Sequence, residues 1–381
     1  PPCGKHWHST HVLFKKGNTL LALGRCEEAT RVHKECLDMK MEVEPYKSYL
    51  DKKNKSDWGH REIYISYCAY ANALMTLADH KESKDSASPK MTKQLRVRAH
   101  QAFEEALSMM QRLYADPPYN GVHANIACVL KDIGNIHFAS ATRFREAGDA
   151  RAALAEYDKA KEKYERSLEA LQKLWKQRKR EERTSGVSDV TRDVKETQVA
   201  DAHLNLANVL VELREWERAD THFKTCKDIY TRCFGANVAH PAFLMLQWGL
   251  AEMYKQRSGS KKDANATRAF EKALDMCKIM YGSEWEKHPR TVAILKDMNA
   301  DPLPALPVME TDATTDGEAD TDRLLALTTS SALTAPLTRD LVPTNSTSPL
   351  AATRSRALLP SCSSALAPST SSYLADKLRV Q

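Results

Sequence analysis

Four residues at the start of the chain have the types that hold a metal. Cys3, His6, His8 and His11 form a C-x2-H-x-H-x2-H cluster, and thiolate and imidazole are ligands that zinc accepts. The spacing matches no ordinary ligand knuckle and chain ends fray, so the cluster reads as surface histidines, with metal binding the alternative. Other chemistry lacks its apparatus. There is no GxxxxGK[ST] or GxGxxG loop to cradle phosphate, and no HExxH or GxSxG. The many carboxylates stand three or four residues from Lys or Arg, which is helix-surface pairing worth only ~0.2–0.5 kcal/mol each. Pairing of that kind does not raise a carboxylate's pKa as acid–base catalysis requires. The expectation is a chain with no enzymatic activity and no cofactor. The basic run 176–180 (KQRKR) could be a nuclear signal or a phosphate contact, but within KLWKQRKREER it reads as the solvated end of a long helix. The acidic residues Asp312, Asp316, Glu318, Asp320 and Asp322 read as a solvated charge run.

Composition divides the chain unevenly. All 6 Trp and all 8 Phe lie before residue 286, and Tyr373 is the only aromatic after residue 300. Ser, Thr, Ala, Leu and Pro dominate 301–381, which reads as a disordered tail because it cannot bury enough apolar surface to offset chain entropy. The preceding 300 residues suffice for a sizeable core. They have no Pro between Tyr119 and His240, which nearly excludes an all-β class needing turn residues at short intervals. The net charge is +6, and before residue 301 it is +9, from 50 basic against 41 acidic residues. Both signs are interspersed, as on a solvated helical surface and unlike a nucleic-acid footprint. Nine cysteines without a CxxC pair fit a reduced, cytoplasmic protein. No apolar run reaches the ~18 residues of a membrane span. The chain begins Pro1-Pro2 without Met, which fits a fragment and leaves a lost leader open.

Internal repeats organise the rest. KGNTLLALGR (16–25), YANALMTLAD (70–79), IACVLKDIGN (126–135) and LANVLVELRE (206–215) share a small residue, Leu three later and an apolar residue three after that. GLAEMYKQR (249–257) is a fifth copy. Steps of three and four lay one apolar stripe along a helix. A second pattern follows each copy, small–bulky–small at steps of four and three: Ala29/His33/Cys36, Ala99/Phe103/Ala106, Ala153/Tyr157/Ala160, Ala219/Phe223/Cys226 and Ala266/Phe270/Ala273. Small residues let two helices approach and the bulky one fills the gap between them. The unit is therefore an antiparallel helix pair, repeated five times, that buries its apolar face by stacking. In the third unit Ala127 and Gly134 are rival landmarks, and a first helix from near 122 to 147 accommodates both.

Gly17, Leu20, Gly24, Ala29 and Cys36, and more fully Leu206, Ala207, Leu210, Trp216, Ala219 and Phe223, resemble tetratricopeptide repeats. Phe234-Gly235 with His240-Pro241, and Tyr281-Gly282 with His288-Pro289, are similar to the connectors of kinesin-light-chain-type repeats over 200–296. The landmark spacings of 54, 56, 80 and 44 exceed the ordinary period of about 34. The resemblance implies an all-α solenoid of about five irregular hairpins with a capping helix (His288 to about Met298) and the disordered tail. Its divisions are 1–45, 59–115 with a polar loop near 80–90, 121–180, a linker at 184–199, 200–300 for two kinesin-light-chain-like repeats and cap, and 301–381.

The same resemblance implies a concave groove, lined by first helices, that binds a peptide or a helix. The matching positions are Leu204, Asn205, Asn208, Val211 and Glu212, then Met245, Trp248, Glu252, Lys255 and Gln256. Asn18 and Asn72 match Asn208, and Asn125 matches Asn205. An Asn amide both donates and accepts, so it can pair with a partner's main chain whatever its side chains. Phe14 and Ala69 stand where a chaperone-tail clamp would need Lys and Asn, which argues against that clamp. The implied role is a scaffold or adaptor for a protein partner, with motor or cytoskeletal cargo one setting. The alternatives are a structural subunit of a larger complex, or a non-catalytic piece of a multidomain enzyme or regulator. No nucleic-acid partner is expected.

Overall fold

In the computed structural model, every residue of the five small–bulky–small triplets is at most 1% exposed. The structure describes residues 7–43, 57–83, 89–116, 119–184, 191, 194–236, 239–303 and 306. All but Leu306 belong to one unit. The expected tail and its acidic run, with Cys3 and His6, lie outside the described residues apart from 301–303 and 306.

Among the described residues there are eleven α-helices and no strand. The first pair is α1 (Trp7–Ala22) and α2 (Cys26–Glu42); the second is α3 (Asp57–Ser83) and α4 (Pro89–Leu113). The third is longer, α5 (Ala124–Glu146) and α6 (Ala150–Thr184). Then come α7 (Glu196–Glu212) with α8 (Trp216–Phe234), and α9 (Pro241–Ser258) with α10 (Ala264–Tyr281). A 3-10 turn, Gly282–Lys287, leads to α11 (Pro289–Asn299), which packs on α10. Each first helix lies along its own second helix, and each second helix packs on the next first helix. The result is an all-α solenoid of helix pairs. No described helix is long and apolar enough to cross a membrane.

Close approach explains the small residues. A Cβ added at Gly17 would sit 2.6 Å from the His33 ring, and one at Gly249 would sit 2.8 Å from Phe223. A real Cβ would push the helices apart, and rigid packing does not absorb that shift freely. The third pair uses both of its landmarks. A Cβ added at Gly134 would sit 2.6 Å from the Tyr164 ring, while Ser167 Oγ donates to the Ala127 carbonyl at 2.7 Å. Tyr164 lies seven residues beyond Tyr157, two turns along the same face, so the long hairpin repeats the ring contact within itself. Charge ties the second pair to the third: Glu82 Oε1 accepts from Arg96 of α4 and Arg143 of α5, each at 2.9 Å. Of the cysteines described, Cys233 is exposed and six are buried as small packing residues; none is in a disulfide. The linker expected at 184–199 is partly packed. Val194 is buried with Ala124 and Leu174, and Arg178 donates to its carbonyl.

Three helix pairs turn in the same way. The third residue after the helix bonds back to a carbonyl five positions earlier: Arg25 to Leu20, Asp149 to Phe144, Glu215 to Leu210. This closure requires a left-handed residue between, and Gly24 and Gly148 supply it at φ 72° and 81°. The fourth pair places Arg214 there at φ 61°. A side chain in that region costs ~1 kcal/mol relative to Gly.

The connectors are also built alike. His240 Nδ1 accepts the Ala242 amide at 3.1 Å and its ring stacks on Phe234 at 3.9 Å. His288 accepts the Arg290 amide at 3.3 Å and stacks on Tyr281 at 3.5 Å. His123, which the connector motif does not include, accepts the Asn125 amide at 3.1 Å and stacks on Tyr114 at 3.9 Å. Each ring caps the next helix while covering the end of the previous one. Only a neutral imidazole can accept at Nδ1. Burial, with Arg61 adding to it, pushes His123 down to about 4. Burial also lowers His240, and burial with Arg290 lowers His288.

Two outcomes follow from these termini. Arg214→Gly raises the urea midpoint by the equivalent of ~1 kcal/mol, and Gly148→Arg lowers it by a similar amount. Because the capping histidines are depressed in the folded state, the unfolded chain takes up their protons first. Their stabilisation is complete above the ordinary 6.5 and is lost as pH falls towards about 4, the folded value of His123. The triple variant His123→Asn, His240→Asn, His288→Asn keeps a capping oxygen that does not titrate. In urea titrations it loses less stability than the wild type between those pH values, at ~1 kcal/mol per cap.

Candidate functional site

Glu212 at the end of α7 and Glu252, Lys255 and Gln256 of α9 meet at a cavity of about 220 Å³. Steps of three and four bring the α9 trio to one face. From the third pair, α5 adds Phe138, Thr142, Arg145 and Glu146, and α6 adds Tyr157. Asp297 of α11 closes the opposite side, with Ala300, Asp301 and Leu303 of the chain beyond it. The first helices of three successive pairs therefore share one site, and the segment after the cap forms part of its wall.

The charged groups are matched internally. Arg145 pairs with Glu212, their side chains 7% and 6% exposed. Lys255 Nζ donates to Glu252 Oε1 and to the Asp297 carbonyl, both at 2.7 Å. Trp248 Nε1 donates to Asp297 Oδ2 at 3.0 Å. Burial first, then the Glu212 charge, pushes the Tyr157 hydroxyl well above its ordinary range, so it stays protonated. That hydroxyl lies 3.4 Å from Thr142 Oγ1. Gln256 is 4% exposed, and its Nε2 has no hydrogen-bond partner among the described residues.

The remaining residues matched to the groove are placed differently. Leu204, Val211 and Met245 are buried apolar side chains, and Trp248 is buried with its indole N–H on Asp297. Asn208 is buried with its Oδ1 against Gly249. Asn205 is 1% exposed, and neither atom of its amide has a partner among the described residues. Asn125 is half-buried and donates to the Tyr64 hydroxyl at 2.7 Å, so it serves the chain's own packing. Asn72 is half-buried and Asn18 exposed, on α3 and α1 respectively, away from the cavity. His8 is exposed and His11 half-buried on α1. Among the described residues no cluster of His, Cys, Asp or Glu could hold a metal ion.

The sequence pattern does not point to Arg145, Phe138 or Asp297, and it marks Tyr157 only as a packing residue. Arg145 had one signal, a basic residue on the face of α5 that elsewhere carries apolar groups, opposite in sign to Glu212. Asp297 had none, because only the packing of α11 brings it beside Lys255 and Trp248.

No family model and no curated protein matches the chain. Among solved structures, the apo form of RapI is similar at 13% identity, over 77% of this chain and 82% of that one, with a TM-score of 0.26. No correspondence of site or function follows from a score so low, and the helical-repeat fold rests on the packing of this chain's own helices.

Removing one partner of a buried ion pair costs far more than removing both. Arg145→Met lowers stability by ~3 kcal/mol, since Glu212 stays buried without that cation. Adding Glu212→Leu restores most of the loss, and a double-mutant cycle by urea denaturation measures the coupling.

Proposed function

We propose that this chain is a non-catalytic scaffold that docks an extended segment of a protein partner at the cavity between α5, α7, α9 and α11. One observation carries the reading: the first helices of three successive pairs converge on a single cavity. A site shared in this way uses the geometry that only a stack of repeats can offer. The pairing of Glu212 with Arg145 and of Glu252 with Lys255 supports binding over chemistry, because a neighbouring cation favours the charged form of each carboxylate and so works against the raised pKa of a general acid. The resemblance of the repeats to tetratricopeptide and kinesin-light-chain types supports a peptide or helix as the occupant, and an adaptor role, motor or cytoskeletal cargo included, goes with it. For the subunit alternative, an apolar face on the third hairpin would be the sign; none of the large apolar side chains described in α5 or α6 is exposed.

Ala300 lines the cavity and follows α11, so Ala300→Trp fills the space without changing charge. Peptides selected from a random library on the full chain should bind this variant at least about tenfold more weakly, measured by fluorescence anisotropy. Unchanged affinity for every selected peptide would place docking elsewhere.

A further inference from the structure

We propose that an outward stripe of cations at the end of α6 is a second docking surface, separate from the cavity, and that it takes an acidic helix of a protein partner. α6 has 35 residues against 23 in α5. Leu174 packs with Ala124, the first residue of α5, so the turns beyond it project past the hairpin by about 15 Å. Their inner side is held in place. Arg178 donates to the Val194 carbonyl, Val194 is buried with Leu174, and Thr191 donates to the Glu181 carboxylate. Along the outer side the charge pattern changes. Arg166 has Glu162 one turn back at 3.2 Å, and Lys173 has Glu169 at 2.7 Å. Lys176, Arg180 and Arg183 continue the same stripe at steps of three, four and three. All three are exposed, and none has an acidic partner among the described residues.

A helix end attracts cations by itself, because its last carbonyls carry partial negative charge, but that pull is confined to the last turn. Arg183 lies in it; Lys176 and Arg180 come before it. Three like charges within about 10 Å of helix axis repel one another, and an anion laid beside them relieves that repulsion. An acidic helix along α6 repeats its carboxylates at the same rise, so steps of three and four on both helices set opposite charges face to face. The stripe is also narrow. Glu182, paired with Arg178 and Lys179, bounds it on one side, and Glu181 bounds it on the other. A membrane surface or a nucleic-acid duplex spreads its phosphates over a wider area and would meet these carboxylates. A single helix avoids them.

The test uses the full chain and a dye-labelled, Ala-based peptide of about 20 residues, long enough to form a helix. It carries Glu at alternating steps of three and four and no cation. By fluorescence anisotropy, the triple variant Lys176→Gln, Arg180→Gln, Arg183→Gln binds it at least about tenfold more weakly than the wild type, and added salt weakens wild-type binding. Gln matches Lys and Arg in helix propensity, so the urea midpoint of this variant stays at the wild-type value. A control triple, Arg25→Gln, Lys34→Gln, Lys278→Gln, removes the same net charge from exposed cations that already have acids, and its affinity is unchanged. Equal losses in the two triples would reduce the effect to net charge and overturn the site. A peptide with the same Glu residues in one block, bound as tightly, would overturn the helical partner. Binding of oligothymidylate or phosphatidylserine vesicles that depends on the stripe, without binding of the stepped peptide, would overturn the protein partner. A lowered urea midpoint with undiminished binding would make the cations structural.

Discussion

One contact recurs through the whole stack: a ring wedged into a gap that only a small residue leaves open. His33 against Gly17, Tyr164 against Gly134 and Phe223 against Gly249 are the tightest cases. The flanking Ala and Cys of each triplet are buried for the same reason. The Phe223–Gly249 contact joins the fourth pair to the fifth, so the device that closes a pair also joins pairs. Everything beyond it depends on that spacing. First helices reach one another's side chains only if second helices do not hold them apart.

Helix ends are where a stack of pairs must satisfy orphaned amides and carbonyls, and the chain uses two repeated solutions. A left-handed residue closes the turn inside three pairs. A histidine stacked on an aromatic ring caps the entry to α5, α9 and α11. The second solution needs the imidazole to be both flat and neutral: flat to cover the preceding Tyr or Phe, neutral to accept an amide. Burial of the ring supplies the neutrality, since a charged imidazole would lose hydration there.

Polar groups on the inner faces of α5, α7 and α9 meet this packing with charge matching. Arg145 with Glu212, and Lys255 with Glu252 and the Asp297 carbonyl, are buried ions that each keep a partner. Such pairs add little net stability, but they fix orientation because a mismatched arrangement strands a charge. They keep the cavity walls polar where Leu204, Val211 and Met245 have already closed the rest of the face with apolar contacts.

Periodicity alone determined the repeat unit. Small residues with Leu three later, then small–bulky–small triplets, imply helices with one narrow, close-packed stripe, and that follows from the helical pitch whatever else the chain does. His240-Pro241 and His288-Pro289 likewise announced helix starts, because Pro at the first turn loses no hydrogen bond. The groove positions were legible only as a face of α7 and α9. Whether a face is open depends on what crosses it, and α11 with residues 300–303 crosses this one from a distance of some forty residues in sequence. Tertiary packing thus turned Trp248, Lys255 and Asp297 into neighbours, enclosed Glu212 with Arg145, and buried Gln256. Local pattern encodes which way a side chain points along its helix; only the stacking of distant helices decides what it meets.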